Sequence, residues 1–321
     1  MTAPRPTVIR VLITGVSGFV GRHLATALAG RGDESHGFGL GEPPTEPRLA
    51  GWQAGDVLDS DAVKVAVATS RPDAVIHLAG QSSAAVSFEQ PVETYRTNAN
   101  GTWTLLEAVR QHAPRARVLV VGSGEVYGPQ PEGSRVAEGA PFRPVSPYAL
   151  SKAAADALSD AFARRHGLAV IRTRSFGHTG PGQSPVFAVP SFARQIAEIE
   201  AGRGEPVLRV GNLEVTRDLT DVRDVVAGYL ALLERGRPGA AYNVCRGEGV
   251  RLSEVVRRMV ARARRPIRVE VDPARVRPAD LPYLVGDPSA IAHDAGWRVS
   301  TPLDVTLDAT LEDWRARASA P

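Results

Sequence analysis

The stretch Val8-Ile9-Arg10-Val11-Leu12-Ile13-Thr14, followed by Gly15-Val16-Ser17-Gly18-Phe19-Val20-Gly21, decides the fold. Its first seven residues are mostly β-branched and read as a buried strand. Residues 19–29 place Leu24 and Leu28 at helical spacing, so the glycines lie between a strand and a helix. Their G-x-x-G-x-x-G spacing suits a phosphate cradle. Gly15 permits the tight turn, Gly18 lets backbone approach a pyrophosphate, and Gly21 lets helix and strand pack closely. The helix N-terminus adds free N–H groups and the positive end of a dipole. For the motif alone, a plain glycine-rich turn is the alternative. The strand before and the helix after favour a dinucleotide, and assign Gly15, Ser17, Gly18, Phe19, Val20 and Gly21 to it.

Working outward, the alternation continues. Residues 73–78 (DAVIHL), 117–121 (RVLVV) and 168–173 (LAVIRT) read as strands. Residues 92–112 and 146–166 read as long helices, the second opened by Ser146 as N-cap with Pro147 at the first helical position. Between residues 33 and 55 the chain is rich in Gly and Pro, and only a short strand near 36–38 is predicted. This pattern predicts an α/β fold of the Rossmann type, a doubly wound parallel sheet with helices on both faces. After Phe176 the texture changes to short strands at 207–210, 241–244 and 267–271, with helices at 190–200 and 222–233. The expected division is a dinucleotide-binding part over residues 1–176 and a smaller α/β substrate-binding region over 177–321, with some chain crossing between them.

Composition narrows the function classes. The 321 residues are 43% hydrophobic and 23% charged, with net charge +3. The arginines are dispersed, which argues against a nucleic-acid footprint. No apolar run approaches membrane-spanning length, and residues 1–7 lack the apolar core of a secretory signal. The single cysteine, Cys245, excludes an intrachain disulfide framework and a cysteine-rich metal site, and no metal is assigned. A cytoplasmic location is the expectation.

Tyr148 and Lys152 stand at i, i+4 on one helix face. A phenol titrates near 10, too high for acid–base work near neutrality, and an adjacent ammonium lowers it. A solvated helix face is the alternative for this pair alone. Ser123, in Val120-Val121-Gly122-Ser123-Gly124-Glu125-Val126-Tyr127-Gly128, follows a strand at the carboxyl edge of the sheet and can donate to a substrate oxygen. At the end of the second strand an acid would bind a ribose 2′-hydroxyl and an arginine a 2′-phosphate. His36-Gly37-Phe38-Gly39-Leu40-Gly41 offers neither. Arg22 and Arg48 are the cations within reach in sequence, with a surface arginine the alternative for each. The cofactor expectation is NADP(H), with NAD(H) left open. Asp56 and Val57 are expected to meet the adenine, a plain loop acid being the alternative.

Together, TGVSGFVG (14–21), HLAG (77–80), TNANGT (97–102), GSGEVYG (122–128) and SPYALSK (146–152) resemble the extended short-chain dehydrogenase/reductase family, in its nucleotide-sugar branch. The segments stand in the family's order along nearly the whole chain. The resemblance implies Ser123, Tyr148 and Lys152 as the catalytic set, with Glu125 beside them. It implies Leu78, Ala79, Gly80, Phe176 and His178 at the cofactor, and Asn98 as a buried helix-kinking or water-holding residue. His178-Thr179-Gly180-Pro181-Gly182-Gln183, Arg217-Asp218-Leu219-Thr220-Asp221, Tyr242-Asn243-Val244-Cys245 and Arg277-Pro278-Ala279-Asp280 are similar to the GDP-4-dehydro-6-deoxy-D-mannose reductases, which form GDP-D-rhamnose. Ser82, Ser83, Ser123, Glu125, Gly177, Val189, Arg194, Arg217 and Arg277 are then expected at the nucleotide sugar. Arg217 and Arg277 would act as cationic forks for its diphosphate; a buried Arg217–Asp218 pair is the alternative.

Two positions depart from the family pattern. Gly177 replaces an asparagine that would contact sugar or phosphate. Gly124 stands where sugar-nucleotide dehydratases usually carry a polar or acidic residue, and elimination of water needs an added acid–base pair. A 4-keto reductase is therefore expected rather than a 4,6-dehydratase. A 4-epimerase retaining NAD is the alternative enzyme, and a catalytically idle nucleotide-binding protein the non-enzyme alternative. The family usually dimerises through the helices around 92–112 and 146–166, so a homodimer is expected.

Overall fold

In the computed structural model, which describes residues 8–276 and 281–319, the first half of the chain builds a parallel sheet. β1 (Arg10–Thr14) leads into α1 (Phe19–Gly30), β2 (Glu34–Gly39), β3 (Gly51–Ala54), α2 (Ser60–Ser70) and β4 (Ala74–His77). Next come α3 (Ala84–Glu89), α4 (Pro91–Tyr95), a π-helical turn (Arg96–Asn100) and α5 (Gly101–His112). β5 (Arg117–Ser123), a 3-10 turn (Gly124–Tyr127), α6 (Pro147–His166) and β6 (Ala169–Ser175) follow. The second half holds β7 (Gly177–Thr179), α7 (Ala188–Glu200), β8 (Val207–Val210), β9 (Thr216–Asp221), α8 (Val222–Arg235), β10 (Ala241–Val244) and β11 (Gly249–Arg251). It ends with α9 (Leu252–Val260), β12 (Arg268–Val271), β13 (Tyr283–Leu284), α10 (Ser289–Ala295) and α11 (Leu303–Ser319).

Seven strands form the main sheet in the order β10-β6-β5-β4-β1-β2-β3, every neighbouring pair parallel. The order reverses between β1 and β4. There the loops after Thr14 and after His77 leave the sheet side by side and open a crevice. Helices cover both faces, so β1 has no solvent side: Val11 and Ile13 join the core under α1 and α8, and Leu12 joins the one under α2 and α5. A third core packs α7, β8, α9 and α11 in the second half.

Three features differ from the sequence expectation. The helix expected over 92–112 is two helices joined by the π-helical turn. β3 lies in the 33–55 stretch where only a strand near 36–38 was predicted, because Gly and Pro hide the period of the residues around it, and α2 follows at 60–70, where no element was predicted. The 241–244 strand belongs to the main sheet, pairing with β6. Arg277 and its neighbours to Asp280 lie outside the described residues.

Candidate active site

The glycine loop is shaped by close backbone approach. Gly15 has φ +74°, and a Cβ there would stand 2.8 Å from Ala79 N. A Cβ on Gly21 would meet the Gly15 and Val16 carbonyl oxygens at 2.5 Å. Gly15 N donates to Phe38 O and Gly18 N to Gly15 O, so the loop is fixed before any ligand binds. Gly18 is exposed at the mouth, with Ser17, Phe19 and Val20 half-buried around it. This bare cradle at the N-terminus of α1 fits a dinucleotide pyrophosphate. Leu78, Ala79 and Gly80 line its other side, Leu78 N donating to Thr14 O and Ala79 N to the Thr14 hydroxyl.

The remaining residues expected at the cofactor are placed unequally. Arg22 is exposed and donates to Gly182 O at 3.3 Å, beside the His23 bond to Pro181 O at 2.8 Å. Arg48 stands ahead of β3, toward the amino-terminal end of the sheet and away from the cradle. Asp56 is exposed, with its carboxylate turned back to Leu58 N at 2.9 Å. The Val57 side chain packs in the core under α5, not toward the crevice. His178 lies parallel to the Phe19 ring, with centroids 6.2 Å apart. Its Nδ1–H donates to Phe176 O, and burial lowers its pKa.

α6 carries Tyr148 and Lys152 to the carboxyl edge of the sheet, held by the Ser146 cap on Ala149 N at 3.0 Å. The Lys152 ammonium donates to Val121 O at 2.9 Å. Ser123 ends β5, and its hydroxyl accepts from Glu125 N. Burial pushes the Tyr148 phenol up, the Glu125 carboxylate pushes it further, and the neighbouring Ser123 hydroxyl opposes both. Burial alone brings Lys152 down to about 8. The sequence reading has Lys152 lowering the Tyr148 pKa; here Lys152 is not among the groups that shift the phenol, and desolvation is the largest cause.

Behind this pair runs a polar chain that the sequence reading met only as the Asn98 motif. Asn98 Oδ1 accepts from Gln81 N at 2.8 Å, and its Nδ2 donates to Gln81 O and to Ser151 Oγ, which donates to Tyr148 O. These bonds hold the π-helical turn against α6. Thr102 donates to Asn98 O at 2.6 Å and so receives the proton of His77 Nε2 at 3.2 Å. His77 Nδ1 then accepts from Thr14 at 2.7 Å. Burial drives the imidazole pKa down to about 3, with the nearby Lys152 charge adding to it.

A cavity of about 690 Å³, within the range of small-ligand sites, is lined by Gly177, His178 and Thr179 but by none of Ser123, Glu125, Tyr148 and Lys152. Val189 and Arg217 line it as expected. The Arg217 guanidinium also donates to Leu281 O and Thr216 O. Its partner is not Asp218, whose carboxylate is buried and accepts from the Arg246, Gly247 and Gly286 amides. Arg194 is not on the wall; it sits one turn from Glu198, 3.9 Å away. Ser82 is exposed and Ser83 caps α3, whose Ala85, Phe88 and Glu89 reach the cavity instead. Ser191, Arg209, Asn212 and Arg275 line it without having been expected. Arg275 was legible only as a neighbour of the Arg277-Pro278 run. It reaches the wall because its carbonyl packs on Gly211, where a Cβ would stand 2.4 Å away. Gly177 is equally constrained: a Cβ would lie 2.8 Å from Asp218 O, so β9 excludes the family's asparagine as the backbone stands.

The cradle and the Ser-Tyr-Lys segments, set on this sheet, define an NAD(P)-dependent oxidoreductase of the short-chain dehydrogenase/reductase type. More narrowly, the chain belongs to the GDP-mannose 4,6-dehydratase family, whose model matches residues 12–310. It is 35% identical to the GDP-6-deoxy-D-mannose reductase of Pseudomonas aeruginosa, covering 96% of this chain and 98% of that one. It also resembles the structure of RMD from Pseudomonas aeruginosa complexed with NADPH, with TM-score 0.84, 33% identity, and 97% and 100% of the two chains covered. Thermus thermophilus UDP-glucose 4-epimerase in complex with NAD is similar as well, with TM-score 0.86, 32% identity, and 96% and 99% covered. No helix among the described residues is long and apolar enough to cross a membrane.

Proposed function

We propose that this chain reduces the 4-keto group of GDP-4-dehydro-6-deoxy-D-mannose to form GDP-D-rhamnose, with NADPH as reductant and NADH as the alternative. The observation that carries the choice of reduction over dehydration is at Gly124. A Cβ there would stand 2.9 Å from three atoms of the buried Phe176 ring, so no side chain fits beside Ser123. The acid or polar group that elimination needs has no room. The likeness to a reductase of a GDP-linked 6-deoxyhexose supports the substrate, and the likeness to an NADPH complex supports the cofactor.

In this reading Gly15, Ser17, Gly18, Phe19, Val20, Gly21, Leu78, Ala79 and Gly80 hold the dinucleotide, which supplies hydride when bound. Tyr148 gives its proton to the oxygen at C4. Its raised pKa keeps it protonated at neutral pH, as a proton donor must be. Ser123 donates to the same oxygen as negative charge grows on it, where a preorganised donor counts most. Lys152 offers positive charge behind Tyr148. Arg217, with Arg275 and Arg209 on the same wall, meets the diphosphate. Residues 1–176 then serve mainly the dinucleotide and 177–321 mainly the nucleotide sugar. We further infer a cytoplasmic homodimer, paired through α4, α5 and α6. Val92, Tyr95, Trp103 and Leu150 are exposed on those helices, and a patch of this kind is usual for interfaces.

The test is incubation of the purified chain with GDP-, dTDP- and UDP-linked 4-keto-6-deoxyhexoses and NADPH or NADH. Stoichiometric loss of the 340 nm absorbance of reduced nicotinamide, with a GDP-linked deoxyhexose as product, is expected. Interconversion of 4-epimers with no net cofactor loss would assign an epimerase instead.

A further inference from the structure

One buried ionic cluster takes no part in the chemistry above and lines no wall of the cavity. Asp156 sits on α6, one helical turn beyond Lys152 and two beyond Tyr148. It is 4% exposed and accepts from both Arg172, at 2.8 Å, and Arg174, at 2.9 and 3.3 Å. The Arg174 fork then spans away from α6. Its Nη1 donates to the Tyr127 hydroxyl at 2.9 Å and to Glu138 O at 2.7 Å. The guanidinium also lies over the Tyr127 and Phe142 rings, 5.3 and 4.6 Å from their centroids. Tyr127 in turn donates to Asn243 Oδ1 at 2.8 Å, and Asn243 Nδ2 donates to Val136 O.

Tyr127 closes the 3-10 turn that begins just after Ser123 and contains Glu125. One guanidinium is therefore bonded to the helix bearing Tyr148 and Lys152 and to the turn bearing Glu125. Stability alone does not account for such a cluster. Burying ions costs solvation that their attraction roughly cancels, and apolar packing of the same volume serves as well. What a saturated buried fork supplies is direction, since its donors match one arrangement of partners.

We propose that Arg174 is a positioning residue that sets Tyr148 and Lys152 in register with Ser123 and Glu125. The inference rests on the roles given to those four residues above. Asn243 extends the brace to β10, which gives the Tyr242-Asn243-Val244 segment a purpose that nucleotide binding leaves unexplained.

The test uses the full chain with Tyr127→Phe and Arg174→Lys. Tyr127→Phe keeps the ring and its packing and removes only the hydroxyl between Arg174 and Asn243. Arg174→Lys keeps the charge and loses the fork. The expected result for Tyr127→Phe is a kcat lowered by about 10- to 100-fold, as for a slight misplacement of reacting groups, with KM for sugar and NADPH within about twofold. Wild-type kcat in a variant that has merely lost thermal stability would overturn the proposal. Hydrogen exchange gives a reading that needs no turnover. It is expected to rise at 123–127 and 147–152 together, and unchanged exchange at both overturns the brace even if the chain reduces none of the sugars offered. A wild type inactive on every sugar, with exchange raised in the variant, would instead remove the functional reading and leave the brace standing.

Discussion

His77 sits 3% exposed between two threonines, and its two nitrogens have different partners: Nδ1 faces Thr14 and Nε2 faces Thr102. Only the neutral ring fits that pattern. In the unfolded chain the imidazole titrates near 6.5, whereas in the fold it titrates near 3. Between those values the unfolded state binds more protons, so stability rises with pH through this window and is complete above it. The contribution is lost at about 1.4 kcal/mol per pH unit as pH falls. His77→Gln is expected to lower stability at neutrality yet weaken its acid dependence between about pH 6 and 4, in denaturant unfolding followed by circular dichroism. Equal slopes in wild type and variant would rule this out. Lys152 and Tyr148 give the second residue-scale prediction. With Lys152 brought down to about 8, its charge is present below that pH and lost above it. The rate of keto reduction should therefore fall as pH rises through about 8, and Tyr148→Phe should lose most turnover, about 100-fold or more, while still binding NADPH. Stopped-flow turnover across pH, with a fluorescence titration of NADPH, checks both.

At the scale of elements, α1 and the loop before it are built as one unit. A methyl group on Gly21 would press on two backbone carbonyls that have nowhere to go. Gly21→Ala should move α1 off β1, cost about 1–3 kcal/mol as overpacking does, and weaken NADPH binding more than binding of GDP. Calorimetric titration with each nucleotide separates these, and equal losses would contradict it. The sequence made this unit plain, since strand, glycine spacing and helix are contiguous in the chain. It made the start of α6 equally plain through Ser146 and Pro147; the structure adds Gly167, at φ +65°, as its end. Periodicity alone, running through residues 92–112, did not show the π-helical turn, although the family resemblance marked Asn98 as helix-kinking; the turn is held because Gln81, distant in sequence, takes both ends of the Asn98 amide.

Across the whole molecule, the third dimension separates faces that the sequence left mixed. On α5 the apolar Leu105, Leu106 and Val109 are buried against the sheet, whereas Trp103 is 52% exposed; Leu150 on α6 is 54% exposed. In the proposed dimer a second copy of the chain would cover them. Leu150→Arg is expected to turn a dimer into a monomer at micromolar concentration, read by sedimentation equilibrium, with the fold intact by circular dichroism. A wild-type chain that sediments as a monomer would end the dimer reading.

By itself the sequence determined the parallel sheet and the glycine cradle, because each is written in contiguous residues whose spacing carries the physics; the i, i+4 spacing paired Tyr148 with Lys152, and only the family resemblance joined Ser123 to them. The tertiary structure decided what depends on approach between distant segments. It turned Arg194 toward Glu198 and buried Val57. It brought Arg275 to the cavity wall, left no room for a side chain at Gly124 or Gly177, and gathered Asp156, Arg174, Tyr127 and Asn243 into one brace. Side-chain direction and burial are properties of packing, and no local pattern of residues encodes them.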